Sequence, residues 1–228
     1  MFYAPATMRL RITTAATALV LVAGAGIATA AVVVYSNDFS SRGKFRAVQK
    51  FEGGKNCRKF FRNKKTFGIE VKKGPLQCDF RTPVTGDSKE PDHEIEGTAT
   101  VLKSTAKGAR RDAYVGVALR ADESSRYELR VFPQTRTWEV RRRPARQGFP
   151  IEGTEEGIAG INKANKLKLR AFGGKISAFV NKVAVVDQVA DPNPGELNGR
   201  RTLLLGGHGS SSNKPVEASF SDVRIRIP

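Results

Sequence analysis

The chain has 228 residues and carries 39 Lys+Arg against 22 Asp+Glu, a formal charge of +17. One domain plus a targeting segment fills that length. A balance this basic points to an anionic partner, although a plain solvated surface carries such charge equally well. The two cysteines, with only His93 and His208 in the whole chain, make a poor zinc set, so a metal site is not expected.

From the amino terminus, Arg9 and Arg11 precede an apolar and small-residue run from Thr13 to Val34, and no charge follows until Asp38. This is the pattern of an export segment, and Ala28-Thr29-Ala30 supplies the small-x-small ending that predicts cleavage after Ala30. Left uncleaved, the run is long enough to span a bilayer, with the arginines holding the amino end in the cytoplasm. Either reading divides the chain into residues 1–30, a signal peptide or membrane anchor, and residues 31–228, an extracellular or cell-surface domain. In an exported chain, the pair Cys57 and Cys78 reads as a disulfide.

Beyond Val32, short alternating runs broken by Gly, Pro, Asn and Asp predict an all-β domain. Lys65 to Lys72 and Leu76 to Arg81 read as a hairpin, whose second arm the disulfide ties to the basic loop before it. His93 to Leu102 and Ala113 to Ala121 follow as strands. Tyr127 to Phe132 and Thr137 to Arg143 form a hairpin, with Tyr127, Leu129 and Val131 facing inward and Glu128 and Arg130 outward. Gly148 to Asn165 shows no period and reads as a long loop. Asn165 to Phe172, Lys175 to Val180 and Val183 to Gln188 are joined by Gly173-Gly174 and Asn181-Lys182, which suit the positive φ of tight hairpins. Thr202 to Leu205 is a short strand, Gly206 to Lys214 a loop, and Ala218 to Ile227 the last strand. Roughly ten strands require two packed antiparallel sheets, a β-sandwich, since one open sheet would leave an apolar face wet.

Several of these segments carry a resemblance. Tyr35-Ser-Asn-Asp38-Phe39-Ser, Val115-Gly-Val-Ala-Leu-Arg-Ala121, Asn165-Lys-Leu-Lys-Leu-Arg170, Val180-Asn181 and Phe220-Ser-Asp-Val-Arg-Ile225 resemble the laminin-G-like jelly rolls of the concanavalin A-like lectin/glucanase superfamily. The resemblance implies a jelly roll over residues 32–228 of an exported bacterial protein. It also implies a sheet face or rim loops that take sugars, and a calcium ion near Asp38 or Asp222. Such motifs specify the fold and leave function open. The chain departs from the pattern at Lys182, where Gly is usual, and in its basic, cysteine-bearing loop.

Asp92, Glu94 and Glu96, spaced by two, would aim three carboxylates from one strand face. In the superfamily's glucanases a similar acid-x-acid-x-acid strand supplies the nucleophile and the acid. Here the set starts directly after Pro91 with no tryptophan nearby, so a solvated strand face explains it too. Arg120, Glu128 and Arg130 are expected to share the face opposite the core. There they either bind a ligand's hydroxyl or carboxylate groups or form a cross-strand ladder. Trp138 shares a face with Val140 and reads as core, and His208 falls in a loop where it is expected to be solvated. The densest positive regions are Arg141-Arg142-Arg143 and the stretch from Arg42 to Arg81, which holds 13 Lys+Arg. They suit an anionic envelope polymer, lipid headgroups or acidic glycan. Nucleic acid fits the charge but not the export segment. Three functions follow from the sequence: a non-catalytic exported module binding carbohydrate or an anionic envelope component, a glycoside hydrolase-like enzyme, and a structural envelope or adhesion protein. No cofactor beyond a structural calcium is expected.

Overall fold

The computed structural model describes residues 31–62, 65–73, 76–83, 92–122, 124–191, 201–208 and 214–227. The expected export segment therefore lies outside the described residues, and no described helix is long and apolar enough to cross a membrane. In chain order the elements are β1 (Val32–Asn37), α1 (Arg42–Ala47), β2 (Gln49–Glu52), β3 (Cys57–Arg62), β4 (Thr66–Val71), β5 (Gln77–Arg81), β6 (His93–Val101) and β7 (Ala113–Ala121). Then come β8 (Arg126–Phe132), β9 (Thr137–Arg143), β10 (Ile151–Thr154), β11 (Asn165–Phe172), β12 (Lys175–Val180), β13 (Val183–Ala190), β14 (Arg201–His208) and β15 (Val216–Ile227).

The strands form two antiparallel sheets packed face to face, the all-β sandwich that the alternating pattern predicts. The first sheet has the order β13-β12-β11-β6-β15-β4-β3, with β1 also paired to β15. The second has the order β10-β9-β8-β7-β14-β5-β2. Period-two alternation sends Ile95, Leu169, Ile176 and Phe220 from the first sheet against Val117, Leu129, Val140 and Leu204 from the second, all buried in one cluster. Trp138 packs on the same inner face, its indole against Gly153 of the neighbouring strand, where a Cβ would lie 2.8 Å from the ring.

Local sequence explains the tight connections. Gly173 and Gly174 have φ of 54° and 76°, and Asn181 and Lys182 have φ of 50° and 75°, the left-handed pair that lets two-residue turns follow the twist of their strands. At the second turn the Asn181 side chain accepts from the Lys166 backbone N–H and donates to the Gly157 carbonyl and to Asn165 Oδ1. These bonds fix the turn despite the lysine that follows it.

Some sequence expectations are corrected. The segments β4 and β5 do not form a hairpin: β4 lies between β3 and β15 in the first sheet, and β5 between β14 and β2 in the second. Adjacent strands that both bury their inner faces can cross between layers as readily as they pair. The Cys57–Cys78 disulfide, at a Cα separation of 5.5 Å, therefore ties the edge of the first sheet to the second. The basic stretch after Arg42 folds into α1, β2 and β3, capped where the Ser41 hydroxyl accepts from the Lys44 N–H. The supposed loop from Gly148 contains β10, and β14 runs on to His208, which is buried instead of solvated.

Candidate functional site: the outer face of the second sheet

On β8 the residues between the core positions, Arg126, Glu128, Arg130 and Phe132, point to the outer face. The register sets Glu128 opposite Arg141 and Ala118, and Arg130 opposite Glu139 and Gly116. Across β7 and β14 this face is apolar and low, because Tyr114, Ala118, Leu203 and Leu205 form a second small cluster there. Gly116 is required at the floor: a Cβ would sit 2.4 Å from the Leu129 carbonyl oxygen. On the far side β5 contributes Gln77 and Asp79, and β2 contributes Glu52.

These groups close into one network. Glu128 has no exposed surface. It accepts from Arg126 Nε at 2.6 Å, Arg130 Nη2 at 2.5 Å and Gln77 Nε2 at 3.0 Å, and lies 3.3 Å from Arg143 Nε. Gln77 Oε1 in turn accepts from the Tyr114 hydroxyl at 2.8 Å and from Arg130. The Arg126 guanidinium reaches Glu52 at 3.0 Å and Asp79 at 2.8 Å as well as Glu128. The contact with Asp79 is an ion pair by distance but lacks hydrogen-bond geometry, so both Asp79 oxygens remain without a hydrogen bond among the described residues.

The electrostatics separate the two buried carboxylates. Burial works to raise Glu128, but Arg130, Arg143 and Arg126 outweigh it and hold its pKa at about 2. Asp79 has one guanidinium, shared with two other acids, so burial and then the Glu128 charge push it up to about 7 against Arg126. Burial likewise raises the Tyr114 hydroxyl. A fixed anion beside a near-neutral acid resembles a hydrolase pair in charge. Both carboxylates are buried, however, and Glu128 is bonded directly to the guanidiniums of Arg126 and Arg130.

Beside this network a cleft of about 680 Å³ opens over β8, β9 and β10. Phe132 forms an apolar wall, its ring 5.4 Å from that of Tyr114. Arg130, Glu139, Arg141 and Glu152 present charged forks, and Thr135, Thr137 and Thr154 add hydroxyls. Glu139 is shared by Arg141 at 3.2 Å and Arg130 at 3.7 Å. The arrangement can stack one apolar face of a ligand on Phe132 and hydrogen-bond a ring of hydroxyls with paired donors and acceptors.

The structure brings together Glu128, Arg130, Arg141 and Arg143 from the residues expected to bind a ligand. It separates two others. Arg120 lies at a bulge between β7 and β14 with φ of 49°, which turns it off the outer face. It pairs there with Asp92 at 2.7 Å, and its backbone N–H donates to His93 Nε2. Arg142 points the opposite way from Arg141 and Arg143, as strand alternation demands, and is buried against Asp191 at 3.1 Å.

Glu94 and Glu96 lie on β6 of the other sheet, and Asp92 precedes that strand, so the three do not form one strand face. Asp92 also accepts from the Gly173 N–H. Glu94 pairs with Arg226 at 2.6 Å, and Glu96 with Lys166 at 3.0 Å. Asp38 bonds Lys44 at 2.7 Å, and Asp222 lies 3.6 Å from Arg224. Among the described residues no three His, Cys, Asp or Glu side chains gather as metal ligands. Glu52, Gln77, Asp79, Tyr114, Arg126, Phe132, Glu139 and Glu152 are members of the site that sequence reasoning missed; they come from β2, β5, β7, β8, β9 and β10, and only the cross-strand register unites them.

No family model matches the chain, and no curated protein matches it. Solved structures do share the fold. A Bacillus subtilis protein of unknown function with a galectin-like fold superposes with a TM-score of 0.59 at 12% identity, covering 86% of this chain and 96% of that one. A carbohydrate-binding module from Bacillus subtilis gives 0.53 at 13% identity, over 79% and 95% of the two chains. The laminarinase catalytic domain from Thermotoga maritima gives 0.56 at 11% identity, over 88% and 99%. The chain therefore has the galectin-like, concanavalin A-like jelly-roll fold that its strand motifs resemble.

Proposed function

We propose that this protein is an exported, non-catalytic module that binds a glycan in the cleft on the outer face of its second sheet. The observation that carries the reading is the cleft itself: Phe132 stands beside the interleaved forks of Arg130, Glu139 and Arg141, with Arg130 anchored by the buried Glu128. The fold it shares with a carbohydrate-binding module and a laminarinase supports a sugar as ligand. The basic surface extends the ligand class to an anionic envelope polymer, and the apolar segment after Arg11 supports export to the cell surface. Saturable retention on β-1,3-glucan, other polysaccharides or cell-wall fractions at low salt is the expected result. A loss of about tenfold is expected in Arg141→Ala and Glu139→Ala, in line with removal of a charge-assisted hydrogen bond. Absence of saturable retention on every fraction refutes the reading. Release of sugar that stops in Glu94→Gln and Glu96→Gln would instead establish a hydrolase.

A further inference from the structure

A second surface lies on the other side of the molecule, where α1 packs beside the edge strand β3. A groove of about 290 Å³ runs between them, lined by Arg42, Phe45, Arg46, Lys59, Phe60 and Phe61. Residues 42–62 carry eight Lys and Arg against the single acid Glu52. Lys44 and Arg58 are paired with Asp38 and Glu70, but the guanidiniums of Arg42 and Arg46 meet no carboxylate among the described residues. Four residues apart on one helix, they stand on the same face. Lys59 is committed differently: its ammonium donates to the Val48 carbonyl and lies 5.0 Å from the centre of the Phe45 ring.

The rings are not explained by the core alone. Phe45 packs on the core and on Phe61, with ring centres 5.3 Å apart. Phe60 lies across the bare backbone of Gly68, where a Cβ would come within 2.3 Å of its ring. Charges on an edge strand guard against pairing with another strand. That role does not require arginines on the helix or phenyl rings between them.

We infer that the α1–β3 groove docks on an anionic phospholipid surface, with Arg42 and Arg46 on the headgroup phosphates and the phenyl rings at the boundary with the acyl chains. Guanidinium forks match phosphate oxygens, and aromatic rings flanked by cations are the composition that settles at a bilayer interface. A soluble phosphate polymer would use the arginines but leave the rings idle. This inference is independent of the glycan cleft.

The test places a fluorescent reporter in the groove of the full chain as Phe61→Trp, with the emission of the parent subtracted, since Trp138 is the only native tryptophan and is buried. Vesicles of phosphatidylcholine containing one third phosphatidylglycerol, at physiological salt, should shift the emission to the blue, and vesicles of phosphatidylcholine alone should not. The readout reports on the ring's surroundings, so it holds whether or not the amino-terminal segment is retained as an anchor. Arg42→Gln/Arg46→Gln, both exposed, should keep the unfolding midpoint and weaken the response roughly 30-fold, the expected effect of removing two cations from a charged membrane surface. No shift on the anionic vesicles, an equal shift on neutral ones, or a full shift with soluble polyphosphate would each overturn the proposal. If Phe61→Trp does not fold, Phe45→Trp places the reporter on the helix side of the same groove.

Discussion

Replacing Glu128 with Gln preserves the side chain's size and one acceptor oxygen, and removes the charge that three guanidiniums share. Two of them cannot recover water in exchange: the side chains of Arg126 and Arg130 are only 3% and 6% exposed. Arg143, at 40% exposed, can turn to solvent, and its share of the loss is small. Removing one partner from a buried ion pair costs about 3–5 kcal/mol, because the remaining charges stay desolvated and lose their nearest anion. Against a typical total stability of about 5–15 kcal/mol, that is a large fraction. Urea unfolding with the disulfide intact should show it as a fall of roughly 2 M in the midpoint, for a slope of about 2 kcal/mol per M. Asp38→Asn serves as the comparison, because it breaks only the exposed contact with Lys44 and should leave the midpoint unchanged. If Glu128→Gln behaves like Asp38→Asn, the guanidiniums are not held by this carboxylate and the network does not aim the cleft.

Asp79 should make stability depend on pH in the direction opposite to an ordinary ion-paired acid. Burial and Glu128 raise it to about 7 in the folded chain from 3.8, so the folded state keeps a proton that the unfolded state gives up, and stability should fall as pH rises from about 4 to about 7. Asp79→Asn should remove that slope in urea unfolding repeated across the range; an unchanged slope would place the proton elsewhere. Glu128, held at about 2 from 4.5, contributes stability that is present above about pH 4.5 and lost below it. Replacing both cysteines with Ala should cost about 3 kcal/mol, from reopening a loop whose ends are 21 residues apart. An unaltered thermal midpoint would contradict this. Gly116→Ala should cost about 1–3 kcal/mol because its Cβ meets backbone at Leu129. Gly160→Ala, with nothing within 4 Å, should be tolerated, and equal effects from the two would refute the steric argument.

Alternation along single strands made the layers, the inward Trp138 and the outward Glu128–Arg130 pair legible from residues alone. It also contained the information that separates Arg142 from its neighbours, but three arginines in a row read as one patch until parity is applied to them. Arg120 was illegible for a different reason: the bulge that turns it depends on how Leu203 and Ala118 register across β14 and β7, a long-range matter that no local pattern encodes. The same holds for Gln77 and Asp79. They approach Glu128 only because β5 joins the second sheet beside β14, whereas the short Lys73-Gly74-Pro75 link suggested that β5 folds back on β4. The four-residue β10 carries too few alternations to show a period.

The strand β15, late in the chain, lies in the middle of the first sheet, bonded to β6 along one side and to β4 and β1 along the other. Until residues 216–227 are available, the earlier strands of that layer form three unjoined pieces, β13-β12-β11-β6, β4-β3 and β1, with open rows of amide groups. Closure of the layer thus waits for the insertion of this keystone, slow by its sequence separation. Truncation before Val216 should for that reason break the layer into three pieces, where loss of a border strand would only narrow it.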